Sequence, residues 1–207
     1  AREAVYAQIK ADLNLLIVEE DADAAPPLDF FNVKVEEMRS VKVGNVTENP
    51  CLSQIPGDKR SKICAPEETT GKGSDISMLV AHAFCKMAKT SDIAIQNGGD
   101  VRTDIAKGDL TMGDAYKLLP FANTLVQMDM TGAKIKAVLE EALDYVLQPD
   151  GSSGAYPYAA GLRWHVDTGK PTGERLSKME FKGRNDSSWS ALDMNKRYRL
   201  VTNNYIA

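Results

Sequence analysis

Only three cysteines and two histidines occur among the 207 residues, and no apolar run of about eighteen residues is present. So little histidine leaves hardly any material for a zinc centre or a histidine-based triad. Neither His82 nor His165 stands in a metal-ligand spacing such as HExxH, and both are expected to be structural or surface residues. The missing apolar run excludes a membrane-spanning helix. Positive charge is not in excess either: 25 Lys and Arg stand against 29 Asp and Glu, a net charge of -4. Without a basic stripe to neutralise phosphate backbones, a nucleic-acid clamp is excluded. There is no GxSxG elbow. The string TTGKGSD imitates a P-loop but has Pro66 where the motif needs its first glycine and Gly73 where it needs a hydroxyl, so it reads as a loop feeding a helix.

What is present suits a folded chain. Hydrophobic residues make up 43% and charged residues 26%, enough to bury a core without help from metal or disulfide. The chain opens at Ala1 without an initiator Met or a basic-then-apolar leader, so it is expected to be a processed or excised piece of a longer polypeptide. Cys51 and Cys64 bracket the loop CLSQIPGDKRSKIC. In an oxidising compartment they are the natural pair, worth about 3 kcal/mol by loop closure; otherwise they are two free thiols. Cys85, among Phe84 and Met87, is expected to be a small buried hydrophobe.

Helical spacing of Val5, Ile9, Leu13, Leu16 and Ile17 predicts a helix over 1–18, and EEDADAAPP after it reads as a linker ended by Pro26 and Pro27. Residues 1–30 are thus a linker helix and an acidic, Pro-containing linker, and 31–207 the main domain. VKV occurs at 33–35 and 41–43, predicting β structure over 33–47. Ser74 and Asp75 are cap candidates for a helix with Ile76, Leu79, Val80, Ala83, Phe84 and Met87 as its apolar stripe. A strand IAI at 93–95 follows, then a short helix after Asp109, the strand TLVQMDM and a helix opened by Thr131 and Gly132. PDGSSGAYPY reads as a loop, GLRWHVD and LSKMEF as an antiparallel hairpin, and RYRLVTN as a last strand. The fold class is α+β, a mixed sheet packed with helices.

Four strings combine a turn or strand end with a residue suited to a planar, anionic ligand: QNGGDVR at 96–102, LPFANTL at 119–125, GSSGAYP at 151–157 and TNNY at 202–205. Arg102 can grip a phosphate or carboxylate through two hydrogen bonds. Phe121 can present a ring face, although taken alone it fits core packing as well. Asn123 can donate and accept along the edge of a heterocycle. Asp104, Asp109 and Asp114 carry no pairing pattern that would make a general acid and base; Asp109 reads as a cap or turn residue.

The succession IAIQNGGDVR, GDLTMGDAYKLLPFANTLVQMDMTGAKIKAVLEEAL, SGAYP and VTNNYIA resembles the C-terminal substrate-binding domain of the 5'-nucleotidase and UDP-sugar hydrolase family, from about Val41 to Ala207. The resemblance implies that Asn97 and Arg102 contact a nucleotide, Arg102 at its phosphate. Phe121 and Tyr205 would sandwich the base, Asn123 would bond its edge, and Gly154 would let backbone come close to it. Arg60 is a poorly aligned substitute for family arginines before the long helix. Asp100 stands where the family usually shows glycine, and a carboxylate there weakens phosphate binding unless it points away. Family members continue to a Gly-rich turn with a ribose-binding aspartate, so the domain is expected to be truncated at its C-terminus.

By the same resemblance the protein is a nucleotide hydrolase acting on phosphoester bonds. Its chemistry belongs to an N-terminal metallophosphoesterase domain with two divalent ions (Zn, Mn, Mg or Ca), and this chain holds no catalytic residue or metal of its own and is inactive alone. The implied partners are a nucleoside monophosphate or related nucleotide and that N-terminal domain. A UDP-sugar or the dinucleotide NAD is the alternative substrate, and a non-catalytic ligand-binding scaffold the alternative function. The family is commonly periplasmic, secreted or at the cell surface, in agreement with a Cys51–Cys64 bridge.

Overall fold

Pro26 and Pro27 begin a helix. In the computed structural model, which describes residues 2–12, 14, 15, 18, 21 and 23–207, the chain divides into two units, 1–41 and 42–207. The first holds α1 (Arg2–Ala11) and α2 (Ala25–Arg39). Proline suits the first helical turn, where its missing N–H would lack a partner anyway. The expected β structure at 33–35 is therefore helix, supported by the ion pairs Lys34–Glu37 and Arg39–Glu36 one turn apart. The expected boundary at 30/31 falls inside α2. The helix predicted over 1–18 ends at Ala11, and its Leu13, Leu16 and Ile17 lie outside the described residues.

The second unit is built on a four-stranded mixed sheet. Its strands are β2 (Ile93–Asn97), β4 (Leu125–Thr131), β5 (Pro157–Ala160) and β9 (Arg197–Asn203), in the order β4-β9-β2-β5. β9 and β2 run parallel, whereas β4 and β5 are antiparallel to their neighbours. Residue alternation decides which helix covers which face. Ile93, Ile95 and Leu200 pack with Ile135, Leu139 and Leu143 of α6 (Gly132–Leu147). Ala94, Ala160 and Val201 meet Ala81 of α4 (Asp75–Met87) on the other face, where small residues let the helix lie close. PYAA, expected to be loop, is an edge strand, and its proline is the first residue, where no ladder donor is required.

Smaller sheets flank this one. β1 (Lys42–Val46) pairs antiparallel with β3 (Gly108–Thr111), and the hairpin of β6 (Leu162–Val166) and β7 (Leu176–Phe181) adds β8 (Ser190–Ala191). Asp109 lies within β3 and is not a cap. Thr111 caps α5 (Met112–Leu118) through a capping box with Asp114. A short helix α3 (Glu67–Thr70) precedes α4. The buried face of α4 is Ile76, Ser77, Val80 and Ala81, while Leu79 and Met87 are exposed, a rotation of the expected stripe. Lys72 pairs with Asp75 at 2.8 Å, and both histidines are exposed. Cys85 is a free thiol, half-buried where full burial was expected, and desolvation pushes its pKa up to about 11.

Cys51 and Cys64 are joined, thirteen residues apart. Asp104 fixes the loop between them, accepting from Leu52 N–H (2.9 Å), the Ser61 hydroxyl (2.8 Å) and Lys62 N–H (2.7 Å). Ser74 accepts from Ser77 N–H at 3.1 Å to cap α4, and its hydroxyl reaches the Cys51 carbonyl at 3.2 Å. Ser74→Ala is expected to cost about 1–2 kcal/mol in urea unfolding. The neighbouring Ser77 hydroxyl is buried without a partner among the described residues, so Ser77→Ala is expected to leave stability unchanged or raise it in the same measurement.

Candidate functional site

Strand direction brings the four sequence strings together. Because β2 and β9 are parallel, QNGGDVR and TNNY leave the sheet at the same end; because β4 and β5 are antiparallel to them, LPFANTL and GSSGAYP enter there. The register places Asn97 opposite Pro157 and Leu125 opposite Asn203. Ligands commonly bind beyond the carboxyl ends of parallel strands.

A cavity of about 600 Å³ opens at this end, and Arg60, Asn97, Arg102, Phe121, Asn123, Gly154 and Tyr205 all line it, with Gln54, Asp100 and the α6 residues Val138, Ala142 and Tyr145. The two clamp candidates are held apart from the core. Phe121 is 50% exposed and Tyr205 is 73% exposed, and neither belongs to a buried apolar cluster. The Arg102 guanidinium lies 5.9 Å over the Phe121 ring centroid and donates to the Gly99 carbonyl at 3.0 Å. That arrangement sets the guanidinium at cation–π distance from the ring, half of whose surface is exposed.

Asp100 is the hub of the wall. Only 7% exposed, its carboxylate accepts from the side-chain amides of Asn97 (3.1 Å), Asn123 (2.8 Å) and Asn203 (2.9 Å). It is turned inward to these amides, away from the role of a free anion facing a phosphate. Asn97 in turn is committed inside the wall, its oxygen accepting from Asn203 at 3.0 Å and its nitrogen approaching the Gly154 carbonyl at 3.5 Å. Asn203 accepts from Tyr205 N–H (3.0 Å) and Ile206 N–H (3.1 Å), so it sets the backbone that carries the second ring. Asn204 and Thr124 exchange two hydrogen bonds and tie the two ring-bearing segments together.

Gly154 and Gly99 face each other. A Cβ on Gly154 would lie 3.2 Å from the Gly99 Cα, and one on Gly99 would lie 3.0 Å from the Gly154 Cα. The close approach that glycine permits is thus between two turns of the wall, Gly98–Asp100 and Ser153–Ala155. Gln54 joins the disulfide loop to this wall by accepting from the Ser153 hydroxyl at 2.7 Å, which explains why Arg60 reaches the same cavity. A second cavity of about 500 Å³ is lined by Tyr156, Trp164, His165 and others and contains none of the expected residues.

The sequence profile of the 5'-nucleotidase C-terminal domain matches residues 42–207, the whole of the second unit. The chain belongs to this family. Among curated relatives it is 37% identical to the NAD 5'-nucleotidase of Haemophilus influenzae over 191 residues, covering 91% of this chain and 31% of that protein. It is 32% identical to a probable 5'-nucleotidase of Treponema pallidum, covering 100% of this chain and 34% of that one. The solved Haemophilus influenzae NAD nucleotidase superposes with a TM-score of 0.71 at 32% identity, covering 99% of this chain and 35% of the other. The 5'-nucleotidase precursor of Thermus thermophilus gives 0.69 at 30% identity, covering 93% and 36%. The chain therefore spans about a third of the length of the relatives it matches.

Within this 5'-nucleotidase C-terminal domain, sequence reasoning missed Gln54, the inward role of Asp100, Asn203 and the cavity-facing side of α6. Asn203 stood in a string already singled out. Gln54 gave no signal, because its partner Ser153 is 99 residues away.

Proposed function

We propose that this domain recognises the nucleotide for a 5'-nucleotidase-type phosphoester hydrolase that works in the periplasm, in the secreted state or at the cell surface. The observation that carries the reading is the convergence of two exposed rings, Phe121 and Tyr205, with the guanidinium of Arg102 on one cavity. The base lies between the rings, each stack contributing about 1–3 kcal/mol. Asn123 bonds the base edge, while Arg102, with Arg60 beside the same opening, holds the phosphate. Asn97 and Gly154 act by shaping the wall.

By the family resemblance, a metal pair on an N-terminal metallophosphoesterase domain supplies activated water and clamps the scissile phosphate. No group of the described residues fits such a centre. Among the described residues the one group of possible ligands close enough together is Cys51, Cys64 and Glu68, and both sulfurs are joined to each other. The domain's part is therefore to bind and orient, and alone it should hydrolyse nothing. Orientation lowers a barrier only when the bound phosphate faces the reacting groups.

A second reading, a dinucleotide or nucleotide-sugar substrate, is favoured by the size of the cavity, about 600 Å³, and by the polar groups of Tyr145, Ser152 and Ser153 on its wall. Calorimetric titration of the domain with adenosine, AMP, NAD and a UDP-sugar separates these cases. AMP bound more tightly than adenosine supports the first reading, and NAD bound most tightly supports the second. With the complete C-terminus included, no heat from any of the four would leave a non-catalytic scaffold.

A further inference from the structure

The hydrogen bonds around Asp100 assign the orientation of an amide whose two ends are otherwise nearly alike in shape. An ionised carboxylate has only lone pairs to offer. Every side-chain amide in contact with it must therefore turn its NH2 group inward, as Asn97, Asn123 and Asn203 do. For Asn97 and Asn203 the opposite end of the amide is also engaged within the wall. Asn123 differs. Its nitrogen is held at 2.8 Å by Asp100, and its Oδ1 has no partner among the described residues while the residue lines the cavity. A ligand that meets this amide therefore meets a hydrogen-bond acceptor, which cannot flip to become a donor without setting an oxygen against the carboxylate.

We propose that Asp100 is the specificity-setting positioning residue of the base site: by holding the Asn123 amide nitrogen it presents Oδ1 to the ligand and selects a base that carries an amino group at that edge over one that carries a carbonyl there. The inference rests on the reading of Asn123 as the residue at the base edge. Adenine and cytosine offer an amino hydrogen to that oxygen. Hypoxanthine and uracil set a carbonyl oxygen against it, and can offer a ring N–H only by sliding sideways within the clamp of Phe121 and Tyr205. The same carboxylate, through Asn203, holds the backbone of Tyr205, so base reading and ring placement share one anchor.

The test is a set of titrations with adenosine, purine riboside and inosine, which share the sugar and the stacking surface and differ at one ring substituent. For the unaltered chain, adenosine is expected to bind about 3- to 10-fold more tightly than purine riboside, the loss of one neutral hydrogen bond, and inosine more weakly still. In Asp100→Asn, whose side chain offers both a donor and an acceptor, Asn123 is free to turn, and the adenosine-to-inosine ratio is expected to fall towards 1 with both still bound. A ratio of affinities within one protein is insensitive to the fraction folded. Should Asp100→Asn fail to fold, Asn123→Ala on its exposed loop gives the second reading, with adenosine and purine riboside expected to bind alike. Inosine bound as tightly as adenosine by the unaltered chain, or an undiminished ratio in either variant, overturns the proposal and leaves the base site standing. Failure of all three nucleosides to bind the unaltered chain overturns the base site itself, and the proposal with it.

Discussion

Phe121→Ala is expected to weaken adenosine binding by about 1–3 kcal/mol, roughly 5- to 150-fold, with little change in the thermal midpoint. The two parts of that expectation come from different observations. The ring is half exposed and outside the buried apolar clusters, so its removal opens no core cavity of the kind that makes large-to-small substitutions costly. It also borders the cavity shared with Tyr205, so its removal takes away one side of the base clamp. A lowered midpoint with unchanged affinity would make the ring a packing residue and would remove the clamp. Calorimetry for binding and a melting curve for stability are read on the same preparation.

Arg102→Ala is expected to separate nucleotide from nucleoside. AMP should lose about 1.5–3 kcal/mol, the range for hydrogen bonds to charged groups, or roughly 10- to 150-fold. Adenosine should lose at most about two- to fivefold, from the contact between guanidinium and Phe121 ring at an exposed site. Arg102→Lys keeps the charge and loses the planar fork, so it should recover only part of the AMP affinity. Equal losses for AMP and adenosine in Arg102→Ala would remove its phosphate role. The inward orientation of Asp100 matters here, because a free carboxylate beside Arg102 would oppose the phosphate that the guanidinium attracts.

The strongly periodic parts of the chain were legible. Ile135, Leu139 and Leu143 announced α6, and the alternation of Leu162, Trp164 and Val166 announced β6. The tripeptide VKV was not. At 33–35 it is helix and at 41–43 it runs into strand, because three alternating residues do not set a period and the surrounding ones decide: two prolines in a first turn and ion pairs one turn apart in the first case, a pairing with β3 in the second. The exposed Leu79 and Met87 show a similar limit. Their place in the stripe of α4 satisfied helical spacing, yet the close approach of Ala81 to the sheet turned the helix away from them.

At the site, the residues singled out by their chemistry and by the family resemblance all line one cavity. What holds them was not legible. Asp100 left two readings open, an obstacle to phosphate or a carboxylate turned away from it, because a sequence shows a charge without its direction. Its partners Asn123 and Asn203 lie 23 and 103 residues away, and only the strand order β4-β9-β2 makes them neighbours. Gly154 lines the cavity as expected of a close backbone approach, and its contact with Gly99 gave no signal in the sequence.

The most direct measurement is the set of intermolecular nuclear Overhauser contacts between the base protons of bound AMP and assigned aromatic side chains of the domain. Contacts to the rings of both Phe121 and Tyr205 are the predicted result. Contacts to Tyr156 and Trp164 instead, in the second cavity, would contradict the account even if AMP bound tightly.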